Sequence, residues 1–249
     1  MDWLLPMLTP LAFFLAALLY ASVGHAGASA YLAVMALLGV APESMKPAAL
    51  LLNLIVSIVA AIQFGKSGSF RWSLLWPFLL AAVPAAYVGG AMKLPGEVYK
   101  LLTGAVLLYA GGRFLWQSFS PKLPAEETAQ PKLAIALAAG AAMGLLAGLT
   151  GTGGGIFLTP LVILMRWGTA REAAAISPLF ILCNSASGLL GLGFQALSLP
   201  NGFLFWCFAV LVGGSLGAYL GSRKLGGRGL RLALALVLLI AGLKMVLGV

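Results

Sequence analysis

Long apolar runs separated by short charged segments limit what this chain can fold into more than any other feature. Of its 249 residues, 61% are hydrophobic and only 8% are charged, whereas soluble domains carry roughly 25% charged residues. Because so few charges cannot cover a water-facing surface, most of the chain must face lipid. Six runs approach the roughly 20 residues that a spanning helix needs: 48–64, 73–92, 98–117, 174–193, 203–221 and 230–248. The sequence predicts an all-α, polytopic transmembrane helical bundle.

Two further apolar stretches, 5–41 and 133–165, are too long for one span and short for two. Small, helix-breaking residues interrupt each near its middle, as SVGHAGAS at 22–29 and LTGTGGG at 149–155. Irregular backbone at membrane depth is tolerated only where it is buried in protein or lines a cavity. We therefore expect each stretch to be a broken, re-entrant first helix, which gives about eight membrane segments in all.

The two halves of the chain match each other. Shifting the sequence by 131 residues places Pro47 on Pro178, Asn53 on Asn184, and 99–113 on 230–244. With a shift of 127, the first interruption falls on the second. Agreement at three places in order indicates a duplication, with a first repeat at 1–118, a charged, proline-containing linker at 119–132 and a second repeat at 133–249.

The distribution of Lys and Arg predicts how the halves are oriented. If 133–165 folds back as a hairpin, eleven of these residues lie on one side and four on the other, the four being Lys46, Lys93, Lys100 and Lys244. A single crossing would give nine against six. The positive-inside rule favours the hairpin. The repeats are then inverted in a bacterial inner membrane, with both termini outside.

Other readings of the composition are less favoured. The net charge of +9 comes from short loops that set orientation, so we expect no nucleic-acid partner. Cys183 and Cys207 lie in apolar runs as small hydrophobic residues, and His25 is the one histidine, so we expect no metal and no cofactor. The N-terminus resembles a signal peptide, but it lacks a positive n-region and its pattern recurs internally, so we expect it to belong to the mature protein.

The interruptions predict an anion site. A short helix should begin near Ala28 and another near Gly155, and each N-terminus offers unpaired N–H groups and about half a positive charge. Consecutive glycines let an oxyanion such as sulfite or a sulfonate approach the backbone. The preceding helices aim carbonyl groups at the same place, which would favour a cation or proton, and glycines can also serve packing alone. The candidate substrate-binding residues are Ser22, Gly24, His25, Gly27, Ser29, Asn53, Thr150, Gly151, Thr152, Gly153, Gly154, Gly155 and Asn184.

Three of these side chains have open roles. His25 could titrate and couple proton movement to transport, or it could only bond an exposed carbonyl of its loop. Its repeat partner, Thr152, cannot titrate. Asn53 and Asn184 could face the substrate or cap a broken backbone end.

The residues around the second interruption also carry a family likeness. GLLAGLTGTGGGIFLTPLVILM followed by AREAAAISPLFILCNSASGLLG resembles the sulfite exporter TauE/SafE family, also called the toluenesulfonate uptake permease family, and a weaker copy begins at ASVGHAGAS. The resemblance implies two four-helix repeats and movement of sulfite, sulfonates or related sulfur-containing anions across the bacterial inner membrane, in either direction. The first repeat departs from the pattern, with GHAGAS in place of a glycine-rich run.

We therefore expect a secondary transporter of small anions that works by alternating access. An anion channel on the same scaffold, an intramembrane enzyme and a structural subunit are the alternatives. Catalysis normally needs positioned acid–base groups, and the six acidic residues lie in loops or at the terminus, so we expect no enzyme. The expected partners are a small anionic substrate and the lipid bilayer, with a homodimer as a possible assembly.

Overall fold

A computed structural model of the protein describes residues 4–119, 128–193, 197–223 and 228–247. Every regular element within these ranges is an α-helix, so the predicted all-α class is confirmed for them. The helices are α1 (Leu4–Ala21), α2 (Ala28–Leu37), α3 (Pro42–Gly65), α4 (Trp72–Ala91), α5 (Gly96–Phe119), α6 (Leu133–Thr150), α7 (Gly155–Leu164), α8 (Ala170–Leu192), α9 (Phe203–Arg223) and α10 (Arg228–Leu247). Most of the predicted linker lies outside the described residues.

Five helices are long and apolar enough to cross a bilayer, namely α3, α4, α6, α8 and α9. The six predicted runs all fall on helices, but α5 and the described part of α10 do not meet that criterion. Lys100 and Arg113 both lie within α5. Large apolar side chains point outward over the bundle, with Leu204 82% and Phe208 70% exposed. The protein is a helical membrane protein whose outer surface suits lipid.

Both predicted interruptions break the helix. The first break, residues 22–27, separates α1 from α2, and the second break, residues 151–154, separates α6 from α7. The helix α6 stops at Gly151, whose φ of +85° belongs to the left-handed region where glycine is favoured. Both short helices have ten residues, or about 15 Å at 1.5 Å per residue. Neither short helix is long enough to cross a bilayer alone.

Three connections meet at one end of the bundle, which we call the linker end. Arg71 donates to Thr128 Oγ1 (3.2 Å) and to Glu172 Oε1 (2.9 Å). The N–H of Ala129 donates to the carbonyl oxygen of Arg166 (3.0 Å). The chain entering α6 and the chain leaving α7 therefore lie side by side.

Other connections meet at the opposite end, which we call the terminal end. Lys244 of α10 donates to the carbonyl oxygen of Leu37 at the end of α2 (3.1 Å). The hydroxyl oxygens of Ser44 and Ser198, before α9, lie 3.0 Å apart. The helix α9 therefore begins at this end. Contacts of Gly213 with Phe14 and of Gly217 with Leu18 show that α1 runs parallel to α9, so α1 begins at this end as well.

Two helix pairs are parallel and closely packed. The contacting residues advance together along both helices of a pair: Gly213 with Phe14 and Gly217 with Leu18 between α9 and α1, and Gly140 with Phe78 and Gly144 with Ala82 between α6 and α4. A Cβ atom at any of these glycines would clash with the neighbouring backbone. Glycines four residues apart thus allow the close helix approach that stabilises membrane bundles.

Two other pairs are antiparallel. Their contacts run in opposite directions along the two helices: Leu50 with Gly188 and Asn53 with Ser185 between α3 and α8, and Gly104 with Gly242 and Gly111 with Ala235 between α5 and α10. The first break packs against α8, through Gly24 and Ala174, and the second packs against α3, through Gly151 and Lys46.

Candidate substrate site

The two breaks have backbone conformations that explain their glycines. Gly24 and Gly27 have φ of +79° and +103° in the first break. In the second, Gly153 and Gly154 have φ of +73° and +80°. Other residue types adopt such angles only with strain, so the glycines identified in the sequence are required for the chain to leave one helix and begin the next.

The breaks meet inside the bundle. His25 Nε2 lies 3.1 Å from the carbonyl oxygen of Gly155, the first residue of α7. His25 is only 6% exposed and the whole second break is buried. The structure therefore brings together the two stretches that the sequence selected as parts of one site.

Both nitrogens of the His25 ring face acceptors. Nδ1 lies 3.2 Å from the carbonyl oxygen of Val23, in addition to the contact of Nε2 with Gly155. A neutral imidazole has one N–H, and only the protonated ring has two. The two carbonyl groups are therefore both bonded only when His25 carries a positive charge.

Asn53 lies against the second break. It is fully buried near the middle of α3, and its Nδ2 donates to Ser185 Oγ (3.3 Å). A Cβ atom at Gly153 would lie 2.6 Å from this Nδ2 and 3.0 Å from Ser185 Oγ. Asn53 and Ser185 therefore form one polar cluster beside the second break.

Several buried polar groups at these positions have no hydrogen-bond partner among the residues that the structure describes. Asn184, near the middle of α8, is fully buried, and neither its Oδ1 nor its Nδ2 bonds any of those residues. The Oδ1 of Asn53 is also unpartnered. Buried polar atoms normally have partners, so unpaired amide groups on α3 and α8 indicate a place for a polar ligand or water.

The second break also presents backbone donors. The amide groups of Gly153, Gly154 and Gly155 donate no hydrogen bond within the described part of the chain. The N–H of Thr152 makes only a long contact, 3.4 Å, with Thr150 Oγ1. These amides surround the N-terminus of α7, where an oxyanion is stabilised by N–H groups and by the helix dipole.

Some predicted hydroxyl donors are engaged elsewhere. Ser22 donates to the carbonyl oxygen of Leu19 (2.7 Å), and Ser29 donates to Tyr20 Oη (2.9 Å). Thr150 Oγ1 donates to the carbonyl oxygen of Leu146 (2.7 Å). Ser22 and Thr150 thus bond the local backbone, as serine and threonine commonly do, whereas Ser29 bonds another side chain. In this state of the protein these three hydroxyls stabilise the edges of the breaks.

Comparison with known proteins identifies the family. A family model described as "Sulfite exporter TauE/SafE" matches residues 9–245. The chain belongs to the TauE/SafE sulfite exporter family. It is 41% identical over 238 residues to the "Probable membrane transporter protein y4hK" of Sinorhizobium fredii (strain NBRC 101917 / NGR234), which covers 94% of this chain and 96% of the relative. No solved structure matches.

This result confirms the resemblance found in the sequence. The TauE/SafE chain is a membrane transporter and not an enzyme. The matched range, residues 9–245, includes both breaks and the helices α3 and α8.

Two buried residues beside the second break escaped the sequence analysis. Lys46 was counted with the loop charges, but it is 7% exposed inside α3. Its Nζ donates to the carbonyl oxygens of Gly89 (3.1 Å), Gly90 (2.8 Å) and Met92 (3.3 Å) at the end of α4. Its backbone contacts Gly151. A lysine so close to Pro42 looks like a loop residue, and only the packing of α4 shows that it is buried.

The second missed residue is Tyr99 of α5. Its hydroxyl donates to the carbonyl oxygen of Thr150 (3.1 Å), the last residue of α6, and it is 4% exposed. Helix C-termini leave carbonyl groups without intrahelical partners. Tyr99 therefore satisfies one carbonyl that would otherwise repel an anion near the second break. No pattern in the sequence pairs these two positions.

Proposed function

We propose that this protein is a secondary transporter that moves small sulfur-containing oxyanions, sulfite or organosulfonates, across the cytoplasmic membrane by alternating access. The observation that carries the proposal is the contact between His25 of the first break and Gly155, which directly follows the second break. This contact lies beside the unbonded amide groups at the N-terminus of α7. The family description names sulfite exporters, and the relative is called a probable membrane transporter.

The anion class follows from the charges available. The N-termini of α7 and α2 together offer about one positive charge, and a protonated His25 would add another. The hydroxyl of Tyr99 bonds the carbonyl oxygen of Thr150, so this carbonyl repels a nearby anion less. A monovalent or divalent oxyanion is therefore favoured, with Asn53, Asn184 and the glycines of the second break as its ligands.

The helix arrangement supports an inverted repeat with boundaries at 1–118 and 133–249. If the first five helices correspond in order to the last five, α3 is equivalent to α8 and α5 is equivalent to α10. In both of these pairs the two helices pack against each other and are antiparallel. Equivalent antiparallel helices imply a two-fold axis perpendicular to them, in the membrane plane. The parallel pairs α1/α9 and α6/α4 are exchanged by the same axis. Counting each broken hairpin as one segment gives eight.

The repeat provides the mechanism. Two halves that are related in this way have two nearly equivalent packings, and exchanging them opens a central site to one side and then to the other. We place the linker end in the cytoplasm because of the positive-inside rule. Both termini then face the outside of a bacterial inner membrane.

His25 is the candidate for proton coupling. Only its charged form bonds both Val23 and Gly155, so protonation should strengthen the contact between the breaks and attract the anion. Release of the anion would then favour release of the proton, which couples the two movements.

Flux into liposomes tests the proposal. The purified protein would be reconstituted, and uptake of labelled sulfite, thiosulfate and small sulfonates would be measured with and without a pH gradient. We expect saturable uptake that responds to the gradient. Flux that rises linearly with concentration would favour the alternative, an anion channel on the same scaffold. Absence of uptake for every sulfur anion, in a protein that remains folded, would contradict the substrate class.

A further inference from the structure

A cavity separate from the breaks opens at the terminal end of the bundle. Its volume is about 350 Å³, and its lining includes Ala41, Met45, Lys100 and Lys244. It lies where α2 ends, where α3 and α5 begin and where α10 ends. A sulfite- or sulfonate-sized anion could enter a cavity of this volume together with water.

We infer that this cavity is a cationic vestibule, in which small oxyanions collect before they reach the second break. The inference rests on the proposed transport of anions and adds the entry site. Its ligand is a free oxyanion, held by the ammonium groups of Lys100 and Lys244.

The charged side chains that line the vestibule, those of Lys100 and Lys244, are both positive. Lys244 Nζ is held at the wall by the carbonyl oxygen of Leu37 (3.1 Å). Lys100 Nζ lies 3.0 Å from Glu97 Oε1, but the side chain of Glu97 is 84% exposed, against 34% for Lys100. An ion pair so open to water is weak. Lys100 and Lys244 are among the residues that line the cavity and Glu97 is not, so the lining carries a net positive charge that raises the local concentration of anions.

The vestibule lies one layer of residues from the second break. Met45 lines the cavity, and the next residue, Lys46, contacts Gly151 through its backbone. Lys100 lines the cavity as well, and the preceding residue, Tyr99, donates to the carbonyl oxygen of Thr150. Small movements of the beginnings of α3 and α5 would therefore connect the cavity to the anion site.

A second cavity shows that positive lining is not general in this bundle. It lies near the linker end, has a volume of about 310 Å³ and is lined by Ala61, Ile62, Gly65, Phe70, Ala175 and Leu179. None of these residues is charged. Of these two cavities, the one at the terminal end is therefore the one with a cationic lining.

Chemical labelling tests the vestibule without requiring flux. Ala41→Cys would be introduced into a background in which Cys183 and Cys207 are serine, and the protein would be placed in nanodiscs of neutral lipid. We expect the anionic sulfonate reagent MTSES to react at least about threefold faster than the cationic reagent MTSET, relative to their rates with a free thiol. Lys100→Gln with Lys244→Gln should abolish the preference, whereas Lys100→Arg with Lys244→Arg should keep it.

A matched cysteine provides the control. Asn201→Cys is exposed at the same end but does not line the cavity, so its ratio of rates should not change with the lysine variants. A preference at Ala41→Cys that survives both Gln substitutions would overturn the inference. So would a preference that disappears when an anionic phospholipid is added, because the lysines would then bind headgroups.

Flux separates this inference from the proposed function. The double Gln variant should raise the KM for sulfite at least about threefold and leave the maximal rate unchanged. Saturable sulfite uptake with an unchanged KM would overturn the vestibule and leave the transport function intact. Absence of the labelling preference in the protein that keeps both lysines, together with no uptake by any form, would instead count against both.

Discussion

The Nε2 atom of His25 lies 3.1 Å from the carbonyl oxygen of Gly155, a contact across 130 residues of sequence that joins the two breaks. The other ring nitrogen lies 3.2 Å from the carbonyl oxygen of Val23. Since both neighbours are acceptors, a proton on the ring changes how tightly the breaks are joined.

The first prediction concerns the proton. His25→Gln keeps an N–H donor for the carbonyl of Gly155 but cannot titrate. We expect saturable anion uptake to remain and its stimulation by a pH gradient to disappear. Liposome flux at several external pH values measures this. The coupling role would be wrong if the Gln variant still responded to the gradient as the parent protein does.

The second prediction concerns the second break. Gly153→Ala places a methyl group against Asn53, Ile181 and Ser185, so uptake should fall at least about tenfold, which corresponds to roughly 1.4 kcal/mol. Gly68→Ala is the matched control, because Gly68 has the same φ of +73° but no atom within 4 Å of the added Cβ. Backbone strain of about 1–2 kcal/mol is common to both.

Flux and thermal stability of these two variants are measured together. Equal loss of uptake in the two would mean that strain alone explains the effect. Full uptake by the Gly153 variant would show that the anion does not approach the break.

The third prediction concerns Asn184. Leaving a buried polar side chain unpaired costs about 1–3 kcal/mol, and Asn184 is fully buried with no partner in the described part of the chain. Asn184→Leu should therefore leave the melting temperature equal or higher while uptake falls strongly. Ser57→Ala serves as control, because the Ser57 hydroxyl only bonds its own helix at Leu54. A destabilised but fully active Asn184 variant would argue for a structural role.

The fourth prediction concerns the ion pair at the linker end. The side chains of Arg71 and Glu172 are 26% and 19% exposed, and pairs open to water contribute about 0.2–1 kcal/mol. A double-mutant cycle with Arg71→Gln and Glu172→Gln should give a coupling energy in that range. Glutamine at 172 can still cap Thr169, so the helix start is preserved. Unfolding in denaturant measures the coupling, and several kcal/mol would mean that the pair is effectively buried.

The fifth prediction concerns orientation. Ser67→Cys and Asn201→Cys, in a cysteine-free background, lie at the linker end and at the terminal end, and both positions are exposed. In intact cells an impermeant thiol reagent should react with the cysteine at 201 and not with the cysteine at 67. The reverse pattern would place the linker end outside and would contradict the positive-inside assignment.

Much of the fold could be predicted because lipid imposes a simple rule on the chain. Apolar runs of sufficient length must become helices, so the six predicted runs fall on α3, α4, α5, α8, α9 and α10. The positions of the breaks were equally accessible, because glycines at 24, 27, 151, 153 and 154 are the residues that adopt left-handed conformations without strain.

The candidate site was only partly predictable. Its backbone and Asn53 were identified from the repeat, but the partners of Ser22, Ser29 and Thr150 depend on rotamers that a pattern does not encode. Lys46 was assigned to a loop because its sequence position is close to the start of a span, whereas its burial depends on the distant carbonyl groups that end α4.

By itself, the sequence determined where the chain must be helical and where it must break, because both follow from local properties: hydropathy over about 20 residues and the conformational freedom of glycine. Only the tertiary structure decided that His25 meets Gly155, that Tyr99 bonds Thr150 and that Lys46 is buried. These contacts join segments from different parts of the chain, and their geometry depends on how whole helices pack, which no single stretch of residues specifies.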